Sequence, residues 1–169
     1  MKKNTTMISL LSLLLSSSIF AAAPTSPTAT QTVTMTINSV SNITSSGNPS
    51  ILAITINPAG TGTATDNTTT YTVTSNTGAS GKLKISGQIT TGGNMPTNTS
   101  LTLSLASTAG TSSGVQTLTS TTPVDLVTGI PTLVSDTGAA SYTFNITNGW
   151  SVPATSLNRV VTLTLVSGS

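Results

Sequence analysis

Apolar and polar residues alternate one for one along much of this chain, the signature of strands with one dry and one wet face. Val33, Met35 and Ile37 alternate with Thr32, Thr34 and Thr36, and Leu52, Ile54 and Ile56 alternate with Ala53 and Thr55. Tyr71 and Val73 are spaced by Thr70, Thr72 and Thr74, and Leu83 and Ile85 by Lys82, Lys84 and Ser86. The period returns at Leu101, Leu103 and Leu105, at Tyr142, Phe144 and Ile146, and at Val161, Leu163 and Leu165, with weaker versions at 115–119 and 124–128. Between these runs lie the turn-rich stretches SSGNPS, NPAGTGTATDN, NTGASG, TTGGNMPTN, SDTGA and TNGWSVP. The pattern predicts an all-β sandwich of about seven to nine short strands. Tyr71, Leu83, Leu103, Tyr142, Phe144 and Leu163 occupy its apolar phase and are expected to share one core. A β-solenoid would need a repeat of fixed length, and the threonine-rich runs are unevenly spaced.

The first residues break the alternation. Lys2 and Lys3 precede the apolar run MISLLSLLLSSSIF and the small residues Ala21–Ala23. Residues 1–23 therefore read as a secretory signal peptide, cleaved after Ala21 or Ala23. The run is short and interrupted by serines, which argues against a permanent membrane span. The expected mature chain, 24–169, is a single domain with an extended Pro/Thr segment at 24–31. Its destination is the exterior or the cell surface, through a Sec-type signal and with the periplasm in transit.

Removing the signal also removes the positive charge. Lys82, Lys84 and Arg159 then balance Asp66, Asp125 and Asp136, and no basic stripe remains to track a phosphate backbone, so nucleic acid is not an expected partner. Serine and threonine fill 64 of the 169 positions, and there is no cysteine. The domain must hold together by burial and backbone pairing, without disulfides. Threonine suits the wet face of a strand, because its branched carbon fits the pleat while its hydroxyl tolerates water.

The chain contains no His, Cys or Glu, which removes most general acid–base groups, the thiol nucleophile and the common zinc ligands. We expect no enzymatic activity, no cofactor and no metal site. Asp66 and Asp136 read as turn aspartates that bond their own backbone. Trp150, behind Asn148–Gly149, is the candidate ligand-facing aromatic of a carbohydrate-binding module. The other reading of Trp150 is a plug at one end of the sandwich. Threonine arrays such as Thr61–Thr63–Thr65 and Thr162–Thr164 raise ice binding as a further alternative, although sandwich sheets twist and a lattice match needs a flat one.

The segment TQTVTMTINSV, 30–40, follows the Pro/Thr leader, and RVVTLTLVSGS closes the chain. In these two segments the chain resembles donor-strand-exchange pilins, the subunits of chaperone–usher fimbriae. The resemblance implies an incomplete immunoglobulin-like β-sandwich that a neighbouring subunit completes. Val33, Met35 and Ile37 would be the donor-strand contacts, entering the edge of another subunit's sheet. The implied partners are further copies or other fibre subunits, and a periplasmic chaperone. Two features depart from that family: the chain lacks the usual disulfide, and it ends in Gly168–Ser169 rather than near an aromatic residue. Without a partner, TVTMTI would be an ordinary strand of its own subunit.

Overall fold

A computed structural model describes residues 31–77 and 81–168. The expected signal peptide and residues 24–30 lie outside the described residues. The chain divides after Thr36, and Ile37–Ser169 forms one compact unit. The described residues of the preceding part, 31–36, belong to no strand and are exposed.

In chain order the strands are β1 (Ser41–Ser45), β2 (Gly62–Asn76), β3 (Lys82–Thr91), β4 (Thr99–Leu105), β5 (Thr111–Ser112), β6 (Gln116–Thr117), β7 (Val124–Pro131), β8 (Leu133–Ile146) and β9 (Val160–Gly168). They build two antiparallel sheets, ordered β1-β2-β8-β4-β6 and β5-β7-β3-β9. One 3-10 turn, Gly149–Ser151, interrupts the connection to β9. Among the described residues no helix is long and apolar enough to cross a membrane.

The inner faces of both sheets meet in one cluster. Tyr71, Val73, Leu101, Leu103 and Leu105 come from the five-stranded sheet, and Leu83, Ile85, Ile89, Leu126, Val127 and Ile130 from the four-stranded sheet. Of the six residues expected to share a core, Tyr71, Leu83 and Leu103 are buried, while Tyr142, Phe144 and Leu163 are half-buried against it. The Tyr71 hydroxyl donates to the Ala106 carbonyl at 2.6 Å, which satisfies the polar end of a fully buried ring.

Several turn signals prove to lie inside strands. SDTGA sits in the middle of β8, where Gly138 is required for space. A Cβ there would come within 1.9 Å of the Ala106 carbonyl oxygen. The GTATDN part of the second turn stretch opens β2, and its Asn67, with Thr68, marks a β-bulge. Asp66 pairs with Tyr142 and Thr69 with Ala140, so Asn67 and Thr68 together face Ser141. The extra residue shifts the inward phase from Ala64 and Asp66 to Thr69, Tyr71, Val73 and Ser75.

Two expected strands are absent. Residues 31–40 form no strand, and Val33, Met35 and Ile37 are exposed by 74, 84 and 86 %. Residues 50–56 keep the alternation, with Leu52, Ile54 and Ile56 half-buried between exposed neighbours, yet pair with neither sheet.

Candidate functional site

The sandwich is closed on one side and open on the other. The short strands β5 and β6 form one pair of sheet edges, two residues each, and β1 and β9 form the other. Beside β1 and β9 lies a cleft of about 1280 Å³. Its walls include Ile43 from β1, Tyr142 and Phe144 from β8, and Val161 and Leu163 from β9. These residues are inward by strand alternation but have no complete layer opposite them, which is why they are only half-buried. Burial pushes the Tyr142 phenol above its ordinary pKa, as expected for a side chain facing an apolar wall.

Residues 50–54 and Ile56 line this cleft. Small residues make room for the segment. A Cβ on Gly62 would come within 2.3 Å of an Ile54 methyl, and one on Gly149 within 2.6–2.9 Å of three Ile56 carbons. Asn57 ends the segment in a tight turn, its side-chain oxygen accepting from the amides of Ala59 and Thr61 at 3.0 Å. At the other end the Ser50 amide donates to the Asp66 carboxylate at 2.6 Å. The bulge explains how Asp66 comes to face inward there. Asp66 also accepts from the Thr68 amide and hydroxyl, at 2.7 and 2.8 Å. The Thr68 amide, then the Ser50 and Thr68 hydrogen bonds, lower the Asp66 pKa to about 2. Sequence reading anticipated the bond to the amide two residues on, but not the bond to Ser50.

The other carboxylates stand elsewhere. Asp136, inside β8 rather than in a turn, accepts from the Ser107 and Thr108 hydroxyls and from the Thr108 and Ala109 amides. Burial opposes its ionisation, but these hydrogen bonds outweigh burial and leave its pKa below the ordinary value. It thereby pins the 106–110 loop to the sheet. Asp125 pairs with Lys84 at 3.0 Å on a partly exposed surface. Each aspartate thus has its own separate partners, and among the described residues no group of three metal-capable side chains exists.

Trp150 stands on the 3-10 turn and is exposed by 74 %, so it does not plug the end of the sandwich. The edge of its indole rests over Gly60, where an added Cβ would come within 2.7 Å of Nε1. It is the one large exposed aromatic among the described residues, so no second ring faces a ligand beside it.

Val33, Met35 and Ile37, the candidate donor contacts, are solvent-exposed knobs. The compact unit begins at Ile37, and Asn76 clamps the chain just after it. Its amide donates to the Val40 carbonyl at 2.9 Å and its side-chain amide to the Asn38 carbonyl at 3.2 Å. The cleft leaves no signal in the sequence, because it lies beside two sheet edges, β1 and β9, that no strand among the described residues joins. Comparison of the chain with protein-family models, curated proteins and solved structures found no match in any of the three.

Proposed function

We propose that this chain is a secreted structural or adhesive subunit, an immunoglobulin-like sandwich that assembles into surface fibres by β-strand addition. The observation that carries this reading is a pair of complementary features. An exposed segment bears three apolar knobs at strand period, and an apolar cleft lies between two unpaired sheet edges. The donor would be Val33, Met35 and Ile37 of one copy, and the acceptor the β1/β9 cleft of another. Burying each knob contributes about 1.5–3 kcal/mol before ordering costs. The knobs also set register, because a one-residue slip replaces them with Thr32, Thr34 and Thr36. No catalytic group is needed, and export would place the subunits where fibres form.

The test is electron microscopy and size exclusion of the secreted protein. Long polymers are expected, and Val33→Asp with Ile37→Asp should abolish them, whereas Thr32→Ser with Thr34→Ser should leave them intact. A chain that stays monomeric under all conditions, or polymers that survive the aspartates, would refute the reading.

A second reading, ice binding, is favoured by the outer face of the five-stranded sheet. Thr65, Thr143, Thr102 and Thr117 form one rank across β2, β8, β4 and β6. Paired hydroxyls lie 3.1 Å apart at Thr65–Thr143 and 2.9 Å apart at Thr72–Thr137. Sheet twist of about 20–25° per strand works against a lattice match. Thermal hysteresis that vanishes on Thr143→Lys would support this reading, and its absence in the unaltered protein would remove it.

A further inference from the structure

The segment that lines the cleft and the segment proposed to enter it carry the same pattern. Residues 33–38 read Val-Thr-Met-Thr-Ile-Asn, and residues 52–57 read Leu-Ala-Ile-Thr-Ile-Asn. Both place three large apolar side chains at i, i+2 and i+4, and both end in Thr-Ile-Asn. In an extended chain those three positions share one face. In the second copy of the pattern that face is the half-buried one: Leu52, Ile54 and Ile56 line the cleft and are half-buried, while Ala53 and Thr55 are exposed. In the first copy the equivalent residues, Val33, Met35 and Ile37, are exposed.

We propose that residues 52–56 are a resident placeholder for a strand, and that residues 33–37 of a second copy of this chain displace them from the cleft. This rests on the strand-addition reading and adds to it the identity of the seat and the way it is kept closed. The placeholder has the side chains of a strand without its hydrogen bonds. Among its described amides, Ser50 donates to Asp66 and Ala53 to the Ile51 carbonyl, and the segment joins no ladder. An incoming strand with the same three knobs keeps the apolar contacts and can also pair with the free edge of β1 or β9. The exchange therefore has a driving force even though the apolar burial is nearly matched. Both ends of the placeholder are anchored, at Asp66 and at the Asn57 turn, so it can leave the cleft without unfolding the sheets. Before assembly it would cover the apolar walls and hold the subunit monomeric.

Because the chain has no cysteine, one engineered pair can lock the placeholder. Ile54→Cys with Gly62→Cys joins two positions that face each other, since a Cβ on Gly62 would lie 2.3 Å from Cγ2 of Ile54. The full-length double variant would be offered a labelled synthetic peptide of residues 28–40, before and after reduction, and uptake followed by anisotropy. The reduced form should take up the peptide, and the oxidised form should do so at least tenfold more slowly. Equal uptake by both forms overturns the displacement. If a peptide carrying Val33→Asp and Ile37→Asp is still refused in that case, strand addition survives at another seat. No uptake by the unaltered protein overturns both ideas. Should the double variant fail to fold, hydrogen exchange on the unaltered chain decides. Saturating peptide should raise exchange across 50–57 while lowering it in β1 or β9, and unchanged exchange at 50–57 overturns the proposal.

Discussion

Replacing Gly138 by alanine sets two physical effects of opposite sign against each other. Considered alone, Gly→Ala inside a strand should stabilise by about 0.4–1 kcal/mol, because the unfolded chain loses freedom. The structure predicts the reverse. The new methyl would lie 1.9 Å from the Ala106 carbonyl oxygen, 2.9 Å from its carbon and 2.7 Å from Cε1 of Tyr71. Neither neighbour can yield cheaply. The Tyr71 ring is buried and its hydroxyl holds that same carbonyl, while the Ala106 amide donates to Ala139 at 2.9 Å. Overpacking of this kind costs about 1–3 kcal/mol, and losing the tyrosine hydrogen bond adds about 0.5–1.5 kcal/mol. The net is a destabilisation of about 1–4 kcal/mol, a sizeable part of an ordinary domain stability of about 5–15 kcal/mol. With a urea slope of about 2 kcal/mol per M, the midpoint should fall by about 0.5–2 M at unchanged slope. A midpoint equal to or above that of the unaltered protein would refute the close approach of the 106 loop to β8, and with it the reason a turn-like sequence runs through a strand.

Two other outcomes follow from the cleft and its anchor. Phe144→Ala should destabilise by about 2–3 kcal/mol in the same assay, less than the ~3–5 of a sealed aromatic site, because the ring is only half-buried; no change would mean that β8 does not present its apolar phase inward. Asp66 and Asp136 have folded pKa values below the unfolded carboxylate value of about 3.9, so their contribution is complete above about pH 5 and is lost as pH falls through their folded values, near 2 for Asp66. Urea midpoints should therefore drop between pH 4 and pH 2, and drop less in Asp66→Asn; an acid limb identical in the two proteins would show that Asp66 titrates alike folded and unfolded.

The alternation of Leu101, Leu103 and Leu105, or of Val161, Leu163 and Leu165, could be read directly because each strand has one apolar and one hydroxyl face. Other features left no such signal. β1, Ser-Asn-Ile-Thr-Ser, carries Ile43 as its only apolar side chain, so no period can be counted. The β2 bulge is silent for a different reason: Thr68, Thr69 and Thr70 span it, and threonine serves equally outside at Thr70 and inside at the buried Thr69. A residue type tolerated on both faces erases the phase shift that would reveal the bulge. Residues 52–56 were legible in phase but not in status, since periodicity reports which side is dry and not whether the backbone is paired. Asp66, equally, announced its Asx-type bond to Thr68 but not its hold on Ser50, sixteen residues away in sequence.

The same composition that hides these features bears on how the two pairs of sheet edges are protected. Unpaired strand edges attract other strands, and most proteins blunt them with lysines, prolines or very short edge strands. This chain has few charges to use. Lys82 and Lys84 lie on β3, an interior strand, and the nine residues of β9 contain no charge at all. The β5 and β6 edges are protected by brevity, at two residues each. The β1 and β9 edges are longer and uncharged, and the apolar cleft between them would be a hazard if left bare. Residues 50–56 lie along it with their side chains but join neither sheet as a strand. In the proposed assembly, association through β1 and β9 would be limited by this resident segment, whose hold depends on one aspartate, one asparagine turn and three half-buried side chains.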